Sequence, residues 1–258
     1  MIVLFFADVV GKPGRELLAG RLPELRKRFG ADAVIANGEN VTDGTGIKPS
    51  HAETLLSAGV DVITTGNHVW KQRDVYRYLD EQPRVIRPFN FLASSPGSGV
   101  AVVDTPGGRL GVVNLSGDLY LYPARSPFEV VGQALEELHG VRNIVVDLHA
   151  EATSEKVAMG WLLDGRVSAV IGTHTHVRTG DARVLPGGTA YITDIGMCGP
   201  RDSVLGVKKE LVIERFVTQL PVRFEVADDD VWLEGALVEI GAEGRALRIE
   251  PFEASATS

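Results

Sequence analysis

Cysteine is almost missing from this 258-residue sequence, which contains Cys198 and no other. A lone cysteine excludes a disulfide within the chain, and it excludes a structural zinc site built from several thiolates. We expect Cys198 to be a small buried residue. Since disulfides accumulate in oxidising compartments, we also expect the chain to work in the reduced cytoplasm.

Positive charge is also in short supply. Lys and Arg number 26 against 34 Asp and Glu, the net charge is −8, and there is no long basic run. We therefore expect neither an extended nucleic-acid surface nor binding to an anionic membrane, because both need clustered positive charge. A small phosphorylated ligand held through a metal ion stays compatible with this composition.

Long hydrophobic runs are absent as well, and none approaches the roughly 20 residues that span a bilayer. We therefore expect no membrane partner. Residues 1–8 lack the basic start of a signal peptide and end in Asp8, so we predict the first β-strand there.

The remaining composition is that of a globular protein, with 44% hydrophobic residues. We expect an α/β fold in one domain spanning residues 1–258. Five short apolar runs predict buried strands, most of them followed by a helical pattern, at residues 2–7, 33–36, 60–64, 143–148 and 167–171. Turn residues predict hairpins between 84 and 115 and between 183 and 193. Residues 222–252 alternate in short runs around Asp228–Asp230 and Gly241–Gly244, which predicts hairpin strands of a second sheet.

Polar residues whose side chains can bind a metal ion follow the five predicted strands. They are two carboxylates, an amide and three imidazoles, namely Asp8, Glu39, Asn67, His149, His174 and His176. In open α/β sheets, ligands bind outside the carboxyl ends of strands, so we predict a shared metal site there. On extended chain, His174 and His176 would point the same way, about 6.6 Å apart, and reach different ions.

The number of these groups indicates two metal ions, because one ion cannot use them all. Two ions about 3.5–4 Å apart that share a carboxylate can do so, and such a pair activates water and clamps a phosphoryl group. Nitrogen and oxygen ligands without thiolate suit iron, manganese, zinc or cobalt.

Several motifs resemble those of the calcineurin-like metallophosphoesterases. They are Asp8 followed by Gly11, Asn37-Gly38-Glu39-Asn40, Gly66-Asn67-His68, His149 and Gly172-Thr173-His174-Thr175-His176. Longer strings resemble the bacterial 2′,3′-cyclic-nucleotide phosphodiesterases over nearly the whole chain. They are residues 8–11, 149–156, 191–194 and 220–224. The resemblance implies a four-layer α/β/β/α sandwich.

The resemblance also implies a role for each motif residue. Asp8 and His176 would hold the first metal, Asn67, His149 and His174 the second, with Glu39 bridging them and His68 facing the substrate as proton donor. The superfamily usually has His where this chain has Val10, and Asp where it has Glu39. The missing histidine leaves the first metal one ligand short, and Asn40 is expected to supply an oxygen. The expected cofactors are two divalent or trivalent transition-metal ions, iron or manganese first among them.

The predicted activity is hydrolysis of small phosphodiesters such as 2′,3′-cyclic nucleotides, by attack of metal-bound hydroxide, in a homo-oligomer. Two alternatives stay open: a phosphomonoesterase with the same site, and a non-catalytic regulator that binds a nucleotide or RNA. His68 favours catalysis, because a pure binder needs no proton donor. Glu151 and Asp194 lie near predicted ligands, so each is expected either to contact a ligating imidazole or to cap or face solvent.

Overall fold

The computed structural model describes residues 1–256. Within that range the chain forms two β-sheets and six α-helices, so the predicted mixed α/β class is confirmed. The helices are α1 (Gly11–Phe29), α2 (Pro49–Ala58), α3 (Val75–Glu81), α4 (Pro127–Glu137), α5 (Thr153–Leu163) and α6 (Lys209–Thr218). A 3₁₀ turn, Val69–Lys71, precedes α3.

The first sheet contains β1 (Ile2–Phe6), β2 (Asp8–Val9), β3 (Ala33–Asn37), β4 (Val62–Thr64), β11 (Met197–Pro200), β12 (Val231–Ile240) and β13 (Ala246–Ser255). Its strand order is β2-β11-β12-β1-β3-β4, with β13 paired to β12. β1, β3 and β4 run parallel, so their carboxyl ends share one edge of the sheet.

The second sheet contains β5 (Val100–Thr105), β6 (Gly108–Ser116), β7 (Asn143–His149), β8 (Ala169–Thr173), β9 (Arg183–Val184) and β10 (Ala190–Ile192). Its order is β5-β6-β7-β8-β10-β9, with β6, β7, β8 and β10 parallel. The predicted hairpins are present as the antiparallel pairs β5–β6 and β9–β10.

The sequence-based assignment of residues 222–252 to a second sheet is wrong. These residues contain β12 and most of β13, and β12 pairs antiparallel with β1, with Leu4 opposite Leu237. The turn at Gly241–Gly244 does join two strands, whereas Asp228–Asp230 only lead into β12. Alternating apolar residues show that a strand has a buried face, but they do not show which sheet it joins.

The main hydrophobic core lies between the two sheets. It includes Phe5 and Ile35 of the first sheet together with Val145 and Ile171 of the second. A smaller core that includes Val131 and Met159 packs α4 and α5 against the second sheet. α1 packs on β11, β12 and α2, and β13 contacts β9 and β10 of the other sheet. Cys198 is buried, as expected.

Within residues 1–256, no helix is both long enough and apolar enough to cross a bilayer.

Candidate metal centre

The predicted site residues lie at the carboxyl ends of strands from both sheets. Asp8 follows β1, Glu39 follows β3, and Asn67 lies just beyond β4. His149 is the last residue of β7, and His174 directly follows β8. The sequence predicted that these residues share one site at the strand ends. In the structure, that site lies between facing edges of the two sheets, which the common core holds together.

Four potential ligand atoms converge, and His149 Nε2 is at their centre. This nitrogen lies 3.0 Å from Glu39 Oε1, 3.2 Å from Asn67 Oδ1 and 3.0 Å from His174 Nδ1. Within the described residues, Glu39, His149 and His174 are the one group of three acidic, cysteine or histidine residues whose ligand atoms lie within 4.8 Å of one another. One carboxylate, one amide oxygen and two imidazoles form a donor set that suits a transition-metal ion.

His149 and His174 direct one nitrogen toward this cluster, His176 directs one toward Asp8 and Asn40, and each ring uses its other nitrogen elsewhere. His149 Nδ1 lies 2.9 Å from Thr173 Oγ1, and this hydroxyl donates to Asp147 Oδ1. His174 Nε2 lies 3.1 Å from Glu151 Oε2, and His176 Nδ1 lies 3.0 Å from the Leu205 carbonyl oxygen. These outward contacts suit an N–H on each outward nitrogen, so that a neutral ring can offer its inward nitrogen to a metal ion in place of the proton it holds without one.

Asp8, Asn40 and His176 form a second, looser group next to Glu39. Asp8 Oδ1 lies 3.8 Å from His176 Nε2, and this buried oxygen accepts no hydrogen bond from residues 1–256. Asn40 donates from Nδ2 to His176 Nε2 at 3.1 Å. A buried carboxylate oxygen without a partner is costly, so a bound cation fits this position.

His68 lies between the two groups and is partly exposed. Its Nδ1 lies 2.9 Å from Asn40 Oδ1 and 3.3 Å from Glu39 Oε1, and its backbone N–H donates to Glu39 Oε2 at 3.1 Å. The side chain lines a cleft of about 250 Å³ that also reaches Glu39, His174 and His176. His68 can therefore contact a ligand in this cleft.

Burial and mutual charge shape the acid–base state of the cluster. Burial opposes ionisation of Glu39, but the adjacent His149 and His68 imidazoles hold its pKa well below the ordinary value. Burial alone would lower the pKa of His149, and the Glu39 carboxylate instead raises it to about 9. Burial and the neighbouring His149 lower the pKa of His174 to about 3. Burial also raises the pKa of Asp8. Cations can take over the balancing role that the His149 proton has beside Glu39.

The geometric argument for His174 and His176 on extended chain is wrong. β8 ends at Thr173, and both histidines have positive φ angles, 99° and 62°. The turned backbone sends His174 toward His149 and His176 toward Asn40. The two rings do face different groups, but a strained turn causes this rather than the strand period.

A buried ion pair that the sequence did not indicate supports this turn. Asp194 Oδ2 accepts from Lys156 Nζ at 2.7 Å, and from the Thr175 N–H at 3.1 Å and hydroxyl at 2.8 Å. Asp194 therefore fixes the residue between the two histidines, and it does not contact an imidazole. Glu151 does contact one, His174.

Asp147 is a further supporting residue that sequence reasoning missed. It accepts hydrogen bonds from Thr64, Asn37 and Thr173, all of them buried. The available signal was a carboxylate in the middle of an apolar strand, two residues before His149. This position predicts a buried, hydrogen-bonded acid but not its partners.

Two facing sheets that carry these side chains at their strand ends form a fold that other solved structures share. The fold is similar to the solved structure of a 5′-nucleotidase precursor from Thermus thermophilus, with a TM-score of 0.61 at 15% identity. That alignment covers 98% of this chain and 54% of the other. At this identity the likeness concerns the fold alone.

The chain belongs to the YmdB-like protein family, which matches residues 4–252. It is 44% identical over 255 residues to the 2′,3′-cyclic-nucleotide 2′-phosphodiesterase of Bacillus subtilis strain 168, covering 97% of this chain and 96% of that protein. A solved phosphatase structure from Mycoplasma pneumoniae is 35% identical with a TM-score of 0.91, covering 98% of this chain and 93% of that one. The predicted resemblance is confirmed, and these matches support a hydrolase of phosphoric esters.

Proposed function

We propose that this protein is a metal-dependent phosphodiesterase that hydrolyses 2′,3′-cyclic nucleotides and other small phosphodiesters. The observation that carries the proposal is the orientation of three imidazoles, each with one nitrogen held from outside and the other turned toward buried carboxylates. The name of the Bacillus subtilis relative supplies the substrate class.

Two metal ions are proposed, held by residues whose atoms already converge. Asn67, His149 and His174 hold one, Asp8 and His176 hold the other, and Glu39 bridges them. Asn40 presents Nδ2 to His176 and Oδ1 to His68, so it would join the second set only through the same Oδ1 that holds His68. Iron and manganese suit these ligands, and such a pair activates water and neutralises charge on the phosphoryl group.

His68 is the proposed proton donor to the leaving oxygen. It lies in the cleft beside the ligand groups, and its Nδ1–H donates to the Asn40 amide oxygen, which orients the ring. In the imidazolium form, Nε2 also carries a proton, and this is the proton given to the leaving oxygen. A positioned acid lowers the barrier because the leaving alkoxide is otherwise too basic. A nucleotide-binding regulator would not need this group.

Metal content and substrate range test this proposal together. Elemental analysis of gently purified protein should find close to two transition-metal ions per chain, and one or fewer after reconstitution with iron or manganese would contradict the dinuclear site. A panel of 2′,3′- and 3′,5′-cyclic nucleotides, simple diesters and monoesters should be run with and without chelator. Preference for monoesters would favour the phosphomonoesterase alternative, and metal-loaded protein that binds nucleotides without turnover would favour a regulator.

We also propose a single domain of residues 1–258, with layers ordered α/β/β/α, in the cytoplasm. Packing of α1 and α2 at the first sheet, of α4 and α5 at the second, and a common core between the sheets support this order.

A homo-oligomer is proposed because α6 and the segment after it expose a cluster of large apolar side chains. They are Ile213, Phe216, Val217 and Leu220, each more than half exposed. Contiguous apolar surface of this kind commonly forms interfaces. Light scattering on wild type and Phe216→Glu tests it, since the variant should dissociate while its metal content stays unchanged.

A further inference from the structure

A second cavity adjoins the metal cluster and has no role in the chemistry described so far. It measures about 320 Å³, and its lining includes Arg178, Met197, Arg201, Trp232 and Glu234. His176 and Leu205 line both this cavity and the cleft over the metal cluster. A ligand bound at the cluster can therefore extend past His176 into this space, called here the Trp232 cavity.

The positive charges of the Trp232 cavity are matched by Glu234 in its wall and by Glu253 next to it. Arg201 Nη2 donates to Glu253 Oε2 at 3.0 Å and lies 3.6 Å from Glu234 Oε1. Arg178 also reaches Glu253, with 3.3 Å between Nη2 and Oε2. Because two carboxylates compensate both guanidinium groups, the cavity is poorly suited to a second phosphate and better suited to a neutral group.

The cavity also presents planar groups and apolar walls. The Arg201 guanidinium carbon lies 3.9 Å from the centre of the Trp232 ring. Trp232 Nε1 donates to Asp230 Oδ1 at 2.7 Å, which fixes the ring, and Met197 and Leu205 supply apolar contact. Aromatic rings and guanidinium planes are the surfaces on which proteins stack nucleobases, with nearby polar groups free to bind the base edge.

We propose that the Trp232 cavity binds the nucleobase of the substrate while the phosphoryl group lies at the metal cluster. This inference rests on the proposed function and deepens it, because it names the part of the substrate that the protein recognises. Trp232 is then a specificity-determining residue. A sugar cyclic phosphate that lacks a base is a poorer substrate than a nucleoside 2′,3′-cyclic phosphate.

Two substrates that differ only in the base test the role of Trp232. They are adenosine 2′,3′-cyclic phosphate and methyl riboside 2′,3′-cyclic phosphate, used with metal-loaded protein. Trp232→Ala should raise KM for the adenosine substrate about tenfold, the usual scale for one base–aromatic contact. It should leave kcat, and KM for the base-free substrate, near wild type. Trp232→Phe keeps an aromatic face and should restore most of the affinity.

Trp161→Ala is the matched control. Trp161 is half-exposed on α5 and has its own arginine partner, Arg183, 5.7 Å from the ring centre, but it does not line the cavity. This variant should leave both KM values unchanged. Thermal melting of each variant shows whether folding is intact.

Loss of affinity for both substrates alike, or for neither, in Trp232→Ala would overturn the proposal while leaving the phosphodiesterase function standing. Calorimetry with adenosine 3′-phosphate provides a readout that needs no turnover. If wild type hydrolyses neither substrate, the proposed function fails. The cavity is then judged by calorimetry alone: binding that weakens in Trp232→Ala supports base recognition, and binding that does not weaken refutes it.

Discussion

Gly66 offers the sharpest test that the converging atoms are metal ligands. A Cβ built on Gly66 would lie 2.2 Å from Glu39 Oε2, 2.2 Å from His149 Cδ2 and 2.4 Å from His149 Nε2. Ordinary non-bonded contact is about 3.5 Å, so in Gly66→Ala the carboxylate and the imidazole must each move about 1 Å away from the new methyl group. The φ of Gly66 lies outside the left-handed region, and backbone strain adds nothing to this collision.

The displacement is large compared with what a metal site tolerates. Ligand distances vary by only about 0.2 Å, and a 1 Å misplacement of a catalytic group costs about 10²-fold in rate. We therefore expect Gly66→Ala to lose at least one metal ion and about 10²-fold or more in kcat. Overpacking should also lower stability by about 1–3 kcal/mol. Elemental analysis, hydrolysis of a cyclic nucleotide and thermal melting measure the three effects.

Gly132→Ala serves as the control for this substitution. Gly132 lies inside α4, and a Cβ there meets nothing within 4 Å. This variant should retain its metals and rate and gain up to about 1 kcal/mol in stability, since alanine favours helix. If Gly66→Ala kept two metals and a normal rate, Glu39 and His149 would not be metal ligands in the arrangement described here.

Three further substitutions separate the roles of the site residues. Glu39→Gln removes the charge that holds two cations close together, so at least one ion and the activity should be lost, and full metal content by elemental analysis would exclude a bridge. His68→Ala should keep its metals but lose roughly 10²–10⁴ in kcat, with a smaller loss for a nitrophenyl ester that needs little protonation. Equal losses with good and poor leaving groups would refute the proton donor. Lys156→Met leaves the Asp194 carboxylate buried without its cation, and chemical denaturation should show about 3–5 kcal/mol less stability. An unchanged unfolding midpoint would show that this ion pair stabilises nothing.

The positions of the candidate site residues were predictable because these residues stand next to strands that short apolar runs reveal in the sequence. A run such as Ala33–Asn37 is buried on both faces, so its end must lie at the edge of a sheet, and Glu39 stands two residues beyond it. The same holds for His149 and for His174. Side chains that can bind a metal ion stand at all these strand ends, which predicts a metal site without any knowledge of the contacts.

The supporting contacts were not predictable in this way. Lys156 and Asp194 are 38 residues apart, and neither has a local pattern that differs from that of a surface charge. Trp232 lies on β12, which the sequence analysis assigned to the wrong sheet. The sequence therefore did not predict that Trp232 and His176 line the same cavity. The sequence places Glu151 near predicted ligands, but only the folded chain shows that His174 is its partner.

The sequence by itself determined where the strands and most helices lie, the α/β class, and which side chains stand at the strand ends, because these follow from local apolar patterns and covalent order. The tertiary structure decided that β12 joins β1, that two sheet edges share the site, and that the backbone turns at His174 and His176. These features depend on packing between residues as far apart as Leu4 and Leu237. Such pairings are chosen by the total burial of the whole core, which no single stretch of chain contains.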